Sequence, residues 1–245
     1  MALIGSPSLL AGYSAAQAWA DLGQIAAIAI LTLALLLAVS LDLVLPRGSR
    51  GPAVAVVAAA GYLAALVAAL VRWLDYQGGP AYFGFMTGDN FALYFEILFA
   101  ALGILTVPVV HAYVRARRLL EAELHVLLLA ATIGMMALAA SASLVTVFLG
   151  LETLSIALYV ACGFLRRETA SQESAAKYLL IGSFASAFVL YGMALVYGAT
   201  GTTLLPEIAK QVTADNSSNA LLLMGVLLMG VGFAFKVSAA PFHMW

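Results

Sequence analysis

Charge is what this sequence has least of. Asp, Glu, Lys and Arg make up 9% of its 245 residues, against about 25% in an ordinary soluble domain. Apolar residues make up 64%, more than a soluble fold of this length can hide behind a polar exterior. That imbalance excludes a cytosolic enzyme, a nucleic-acid binder and a disordered chain. Cysteine is almost missing. The single Cys162 excludes an internal disulfide and a cysteine-ligated iron–sulfur cluster, and it reads as a buried, inert thiol in a helix. There is no Gly-rich nucleotide loop, no HExxH and no ligand cluster at metal spacing. Eleven basic and twelve acidic residues leave a net charge of −1, so no basic patch points to nucleic acid or anionic lipid. The apolar–polar alternation of a membrane β-barrel is lacking too.

Long continuous apolar runs are present instead. A membrane-crossing helix needs about 20 mostly apolar residues, and seven stretches qualify: Gln24–Leu45, Ala53–Leu74, Phe91–Val114, Leu124–Ala142, Ser143–Leu165, Ala175–Tyr197 and Ala220–Met244. The class is therefore an all-α membrane protein of about seven transmembrane helices. The fourth and fifth runs are nearly continuous, and Ser141-Ala142-Ser143 is the expected turn between them. Residues 1–23 read as a lead into the first helix. Ala18-Trp19-Ala20 has a faint look of a cleavage site, but Met1–Gly12 holds no basic residue and so makes a poor signal peptide.

Basic residues fall on alternate connections. Arg47, Arg50, Arg115, Arg117, Arg118, Arg166 and Arg167 lie on the odd-numbered loops, and Arg72 and Lys210 on the even ones. The odd loops then face the cytoplasm and the N-terminus the outside. Asn216-Ser217-Ser218 matches a glycosylation sequon on the outer side, a match common by chance.

An ionisable group inside a bilayer costs about 2.5 kcal/mol or more, so such groups mark function or structure. Asp42 and Glu96 lie near helix ends and read as interfacial. Glu152 falls about nine residues into the fifth span, roughly 14 Å deep at 1.5 Å per residue, with Ser155 on the same face. Its position favours a proton carrier over a structural hydrogen-bonding acid. Lys177 sits near the inner end of the sixth span, where snorkelling to the interface is an equal reading. Lys236 stands about sixteen residues into the last span, between Gly225, Gly230, Gly232 and Pro241. Pro241 frees the carbonyl of Val237, so the last helix is expected to break near Lys236 and Pro241. Broken helices at membrane depth line enclosed or wet cavities. Burial moves carboxylates and lysines toward exchanging protons near neutral pH, which makes this set a candidate proton relay. His243 follows the break and is either an extension of the relay or an interface residue beside Trp245. His111 and His125 lie near inner helix ends. A haem between them is the more distant reading, interfacial placement the common one.

Two stretches carry a resemblance. One runs Gly150-Leu-Glu152-Thr-Leu-Ser155-Ile-Ala-Leu-Tyr159 and on through Glu173-Ser-Ala-Ala-Lys177-Tyr178-Leu-Leu-Ile-Gly182-Ser183-Phe-Ala-Ser186 to Leu190-Tyr191-Gly192. The other is Gly232-Phe-Ala-Phe-Lys236-Val-Ser238-Ala-Ala-Pro241-Phe-His243-Met-Trp245. Over residues 120–245 the chain resembles the subunit N family of NADH:quinone oxidoreductase (respiratory complex I), one of its antiporter-like membrane subunits. Leu151-Glu152 stands where sister subunits usually carry Trp-Glu.

The resemblance implies a proton-translocating subunit built on inverted repeats of five helices. It implies that Glu152 is the glutamate of the proton-channel charge pair, Lys177 a neighbouring relay lysine and Lys236 the central lysine beside the broken helix. His243 falls on the motif histidine. Residues 1–120 would be the lead and three helices, and 121–245 a first antiporter-like repeat truncated after its broken helix. The chain would then be the N-terminal half of the bundle, since the family continues beyond the tryptophan. No cofactor is implied on this chain; NAD, FMN, iron–sulfur clusters and quinone belong on other subunits. The implied partners are the other membrane subunits of the complex, the lipid bilayer and protons, in a bacterial inner membrane, with no nucleic acid. Two alternatives stay open: a subunit of a multi-subunit cation/proton antiporter, and a non-pumping scaffold whose buried charges only fix packing. Which lysine pairs with Glu152 is also open.

Overall fold

The computed structural model describes residues 14–46, 48–75, 78–117, 119, 121–213 and 219–242. Arg47, Arg118, the Asn216–Ser218 sequon, His243 and Trp245 lie outside the described residues, as does Met1–Gly12. The elements in chain order are α1 (Ala15–Gln24), α2 (Ala26–Val44), α3 (Arg50–Asp75), the two-residue strands β1 (Pro80–Ala81) and β2 (Met86–Thr87), α4 (Asn90–Arg117), α5 (Glu121–Ala139), α6 (Leu144–Cys162), α7 (Thr169–Thr200), α8 (Leu205–Thr213) and α9 (Ala220–Lys236). Six helices, α2 to α7, are long and apolar enough to cross a membrane, and α9 is a shorter apolar helix of 17 residues. The fold is an all-α, multi-pass membrane bundle, as the hydropathy predicts. The two short helices α1 and α8 escape a reading based on apolar runs. Each alternates polar and apolar faces over fewer residues than a span requires.

Most of the long helices show large apolar side chains to the surroundings on the outer face, among them Leu36, Leu63, Leu105 and Phe184. Inside, small residues let backbones approach. Alanines 55, 58, 65 and 69 line the buried face of α3, and a side chain at Gly103 would run into the ring of Tyr62. The α2–α5 helices share one apolar cluster, with Leu31, Val54, Leu129 and Met136 at its centre. A second gathers Leu144, Val189, Met193, Val196 and Leu222.

Glycine joins the helices in pairs. Gly134 and Gly150 place α5 and α6 backbone to backbone: a Cβ on Gly150 would lie 2.7 Å from Leu138 N. Gly192 and Gly225 do the same for α7 and α9, where each would meet the carbonyl oxygen of the other. The α7–α9 contact is much more extensive than that between α6 and α7.

The turn at Ser141-Ala142-Ser143 is confirmed. Ser143 caps α6, accepting from Val145 N at 3.2 Å. This turn is the centre of a small β-like clamp. Thr87 N donates to Ala140 O at 2.8 Å, Ala142 N to Phe85 O at 3.0 Å, Leu144 N to Thr203 O at 2.8 Å and Leu205 N to Ala142 O at 2.9 Å. The second, fourth and sixth connections are thereby tied together at one end of the bundle. The Arg-bearing connections meet at the other end, where Arg166 pairs with Glu123 at 3.1 Å and Arg117 with Glu168 at 3.5 Å. The alternation of loops read from the basic residues is thus built into the hydrogen bonding.

Three local expectations change. Cys162 is exposed at the last residue of α6, not buried. His125 is fully buried in α5, away from any interface with solvent. Glu96, expected at an interface, is 1% exposed, because α4 begins at Asn90 and turns its seventh residue inward. Asp42 does lie at a helix end, 3.5 Å from Arg50.

Candidate functional site

The site forms where α6, α7 and α9 meet. Glu152, Ser155 and Tyr159 stand at i, i+3 and i+7 on α6, a spacing that places them on one helical face. Ser155 and Tyr159 are buried, and Glu152 is half-buried. Gly182 of α7 packs directly on the Tyr159 ring, with no room for a side chain. Gly232 of α9 likewise abuts Ala185 O, 2.8 Å from where its Cβ would be. These close approaches bring Lys236 to α6.

Lys236 ends α9, and its ammonium points at the Ser155–Tyr159 face of α6. It donates to Ser155 Oγ at 2.5 Å and to Tyr159 OH at 3.1 Å, and lies 5.4 Å from the centre of the Tyr159 ring. Ser155 Oγ in turn donates to Leu151 O at 2.5 Å. Glu152 accepts from Ser186 Oγ of α7 and is the electrostatic partner of Lys236. No ion pair joins Glu152 and Lys236 directly among the described residues. Three hydroxyls serve the two charges: Ser186 donates to Glu152, and Ser155 and Tyr159 accept from Lys236.

The helix stops after Lys236 for a backbone reason. Ser238 adopts φ 53, the left-handed region. Its N–H bonds Phe235 O at 3.0 Å, and Ala239 N bonds Ala234 O at 2.8 Å. This pair of bonds is a Schellman termination, with serine where glycine is usual. The break therefore falls at the expected place, and Ser238 makes it, three residues before Pro241.

Lys177 does not join this cluster. It is 66% exposed on α7 and pairs with Glu173 one turn away on the same helix. The structure thus brings Glu152 and Lys236 together, with Ser155 between them, and leaves Lys177 outside. His243 lies outside the described residues. Sequence reasoning noted Ser155 on the face of Glu152 but gave no role to Tyr159 or Ser186. The i, i+7 spacing from Glu152 was the available signal for Tyr159. Ser186 carried none, because its contact is between helices.

Residues 141–245 match the family described as NADH:quinone oxidoreductase/Mrp antiporter, TM.

The chain is similar to NADH-quinone oxidoreductase subunit N. It is 48% identical over 158 residues to that of Trichlorobacter lovleyi, covering 64% of this chain and 32% of the relative. To that of Moorella thermoacetica it is 41% identical over 206 residues, covering 84% and 42%. A chain of respiratory complex I from Thermus thermophilus with bound Aureothin superposes with a TM-score of 0.73 at 32% identity, covering 89% of this chain and 45% of that one. This chain therefore spans less than half the length of the relatives it matches.

Proposed function

We propose that this chain is a proton-translocating, antiporter-like membrane subunit of a NADH:quinone oxidoreductase. The observation that carries the reading is the half-buried lysine of α9 held through Ser155 and Tyr159 beside Glu152. An ammonium and a carboxylate partly withdrawn from water stabilise each other's charge. A proton arriving on Glu152 removes its negative charge and loosens that hold, and Lys236 then gives up a proton through the neighbouring hydroxyls. Reprotonation of Lys236 restores the attraction and releases the proton of Glu152. Coupling such a cycle to alternating hydration on the two sides moves protons across the bilayer. Lys177 serves as a step between the cluster and the Arg-bearing end, and His243 as an extension beyond the helix break.

In this reading no cofactor sits on the chain. NAD, FMN, iron–sulfur clusters and quinone belong to other subunits, and energy arrives as electrostatic or conformational change through neighbouring membrane subunits. The membrane is the bacterial inner membrane, with the N-terminus outside and the odd-numbered loops cytoplasmic, following the arginines. A second reading, a subunit of a multi-subunit cation/proton antiporter, is favoured by the family description, which names both kinds of complex. Purification with peripheral redox subunits supports the first reading. Purification with further antiporter subunits alone supports the second.

The deciding experiment is Lys236→Ala in the full-length gene, with NADH-driven proton uptake measured in inside-out vesicles. Uptake is normalised to assembled complex and to electron transfer. The expected result is lowered pumping or turnover with normal assembly. Unchanged pumping per complex makes the buried charges structural and overturns the relay.

A further inference from the structure

We propose that Glu96 is a second proton-binding group, separate from the Glu152–Lys236 cluster, and that Arg72 changes partners when Glu96 gives up its proton. Both residues precede the family-matched region, which begins at residue 141.

Glu96 is 1% exposed, and neither of its carboxyl oxygens has a hydrogen-bond partner. Leaving an ionised carboxylate in that condition is far more costly than leaving a neutral acid. Arg72 of α3 is its electrostatic partner. A carboxylate and a guanidinium that meet form a short charge-assisted bond, and no such bond joins these two. Arg72 turns instead to neutral acceptors. It donates to Gln24 O, to Gln24 Oε1 at 2.6 Å and weakly to Gly88 O at 3.4 Å. A side chain at Gly88 would collide with that guanidinium. This is the arrangement of a neutral acid beside a cation that is held elsewhere.

Of the other acids at this end, Asp89 accepts from Ala92 N at 2.9 Å and Asp21 of α1 from Tyr82 N at 3.0 Å. Tyr62 of α3 shares its hydroxyl with Thr132 of α5 at 3.1 Å. The α5 side chains of the same cluster, Leu129 and Met136, are apolar.

The clamped end of the bundle holds a cavity lined by neighbours of Gly88 and not by Glu96 itself. Gly88 N bonds Gly79 O at 3.0 Å, and Gly79 and Asp89 line this cavity of about 350 Å³. The step is a simple acid dissociation. The O–H bond of Glu96 breaks, the proton passes to water entering from the clamped end, and the carboxylate left behind draws Arg72 away from Gln24 and Gly88. Protonation reverses it. Because Gln24 ends α1 and Gly88 lies at the base of the hairpin, the proton on Glu96 sets how firmly α1 and the hairpin are fastened to α3.

The test is infrared spectroscopy of the assembled complex carrying the full-length chain. A carboxylic-acid carbonyl band that shifts in D2O is expected in wild type and is absent in Glu96→Gln, a neutral replacement of similar size. Glu96→Asp, which moves the band and keeps the acid, gives the same assignment if the glutamine variant assembles poorly. The band should fade between about pH 5 and about pH 9, the range reached by buried glutamates, and Arg72→Gln should hold it to higher pH. A missing Glu96-dependent band throughout that range, or one that never fades, overturns the proposal. Neither result bears on pumping through Lys236, so the two readings fail independently.

Discussion

Tyr159 offers Lys236 two things, a hydroxyl at 3.1 Å and a ring face at 5.4 Å. Tyr159→Phe removes only the first. Hydrogen bonds to charged groups contribute about 1.5–3 kcal/mol, so proton uptake per complex should fall by roughly tenfold or more, and Tyr159→Ala should fall further as the ring contact goes. Ser186→Ala strips Glu152 of its hydroxyl donor and should also lower uptake, while electron transfer with artificial acceptors stays normal. A scaffold role predicts assembly defects and unchanged uptake in all three. At this scale the sequence was legible where a residue is rare in its setting. Glu152 and Lys236 stood out because charges inside apolar runs are expensive. Lys177 stood out for the same reason, yet Glu173 four residues before it was a visible partner at helical spacing. Glu96 was misjudged because distance from a helix end says nothing about which way the side chain turns.

At the scale of elements, glycine spacing decides how the bundle closes. Gly232→Leu must push α9 off the backbone of α7, with an expected loss of about 1–3 kcal/mol seen as a lower unfolding temperature of the assembled complex. Gly230→Leu, whose Cβ would meet nothing within 4 Å, is the control and should leave that temperature unchanged. Ser238 holds a left-handed conformation that disfavours a side chain by about 1–2 kcal/mol. Ser238→Gly should therefore raise stability slightly, and Ser238→Val should lower it. Helices α2 to α7 were readable from hydropathy because each is a continuous apolar run. The end of α9 was read from Pro241, but a backbone turn at Ser238 stops the helix first. Nothing about a serine announces a left-handed conformation in advance. The amphipathic α1 and α8 fell below the length at which apolar runs stand out.

At the scale of the whole molecule, the even-numbered connections share a hydrogen-bonded clamp and the arginine-bearing ones gather opposite. Single cysteines introduced in a Cys162→Ser background test which side is which. An impermeant maleimide added to inside-out vesicles should label Ser49→Cys strongly and Thr202→Cys weakly, with the reverse in right-side-out preparations. Labelling of both from one side contradicts the alternation. This alternation was the most legible large-scale property, since seven of the nine loop cations lie on one set of connections. The β-like clamp was not legible: its strands are two residues long, and their partners are brought near only by helix packing.

The two glycine-joined pairs, α5 with α6 and α7 with α9, have a mechanical corollary. Every polar bond between helices in the cluster, from Ser186 to Glu152 and from Lys236 to Ser155 and Tyr159, crosses the seam between one pair and the other. The clamp ties the start of α6 to the end of α7, so it acts as a pivot at one edge of that seam. Lys236 ends a helix of 17 residues, which sets it about 25 Å along the lever at 1.5 Å per residue. A tilt of about 2° at the pivot displaces that end by roughly 1 Å, enough to part a hydrogen bond of ordinary length. The bundle thus has the proportions of a pair of tongs, with its hinge at the strands and its grip at the lysine.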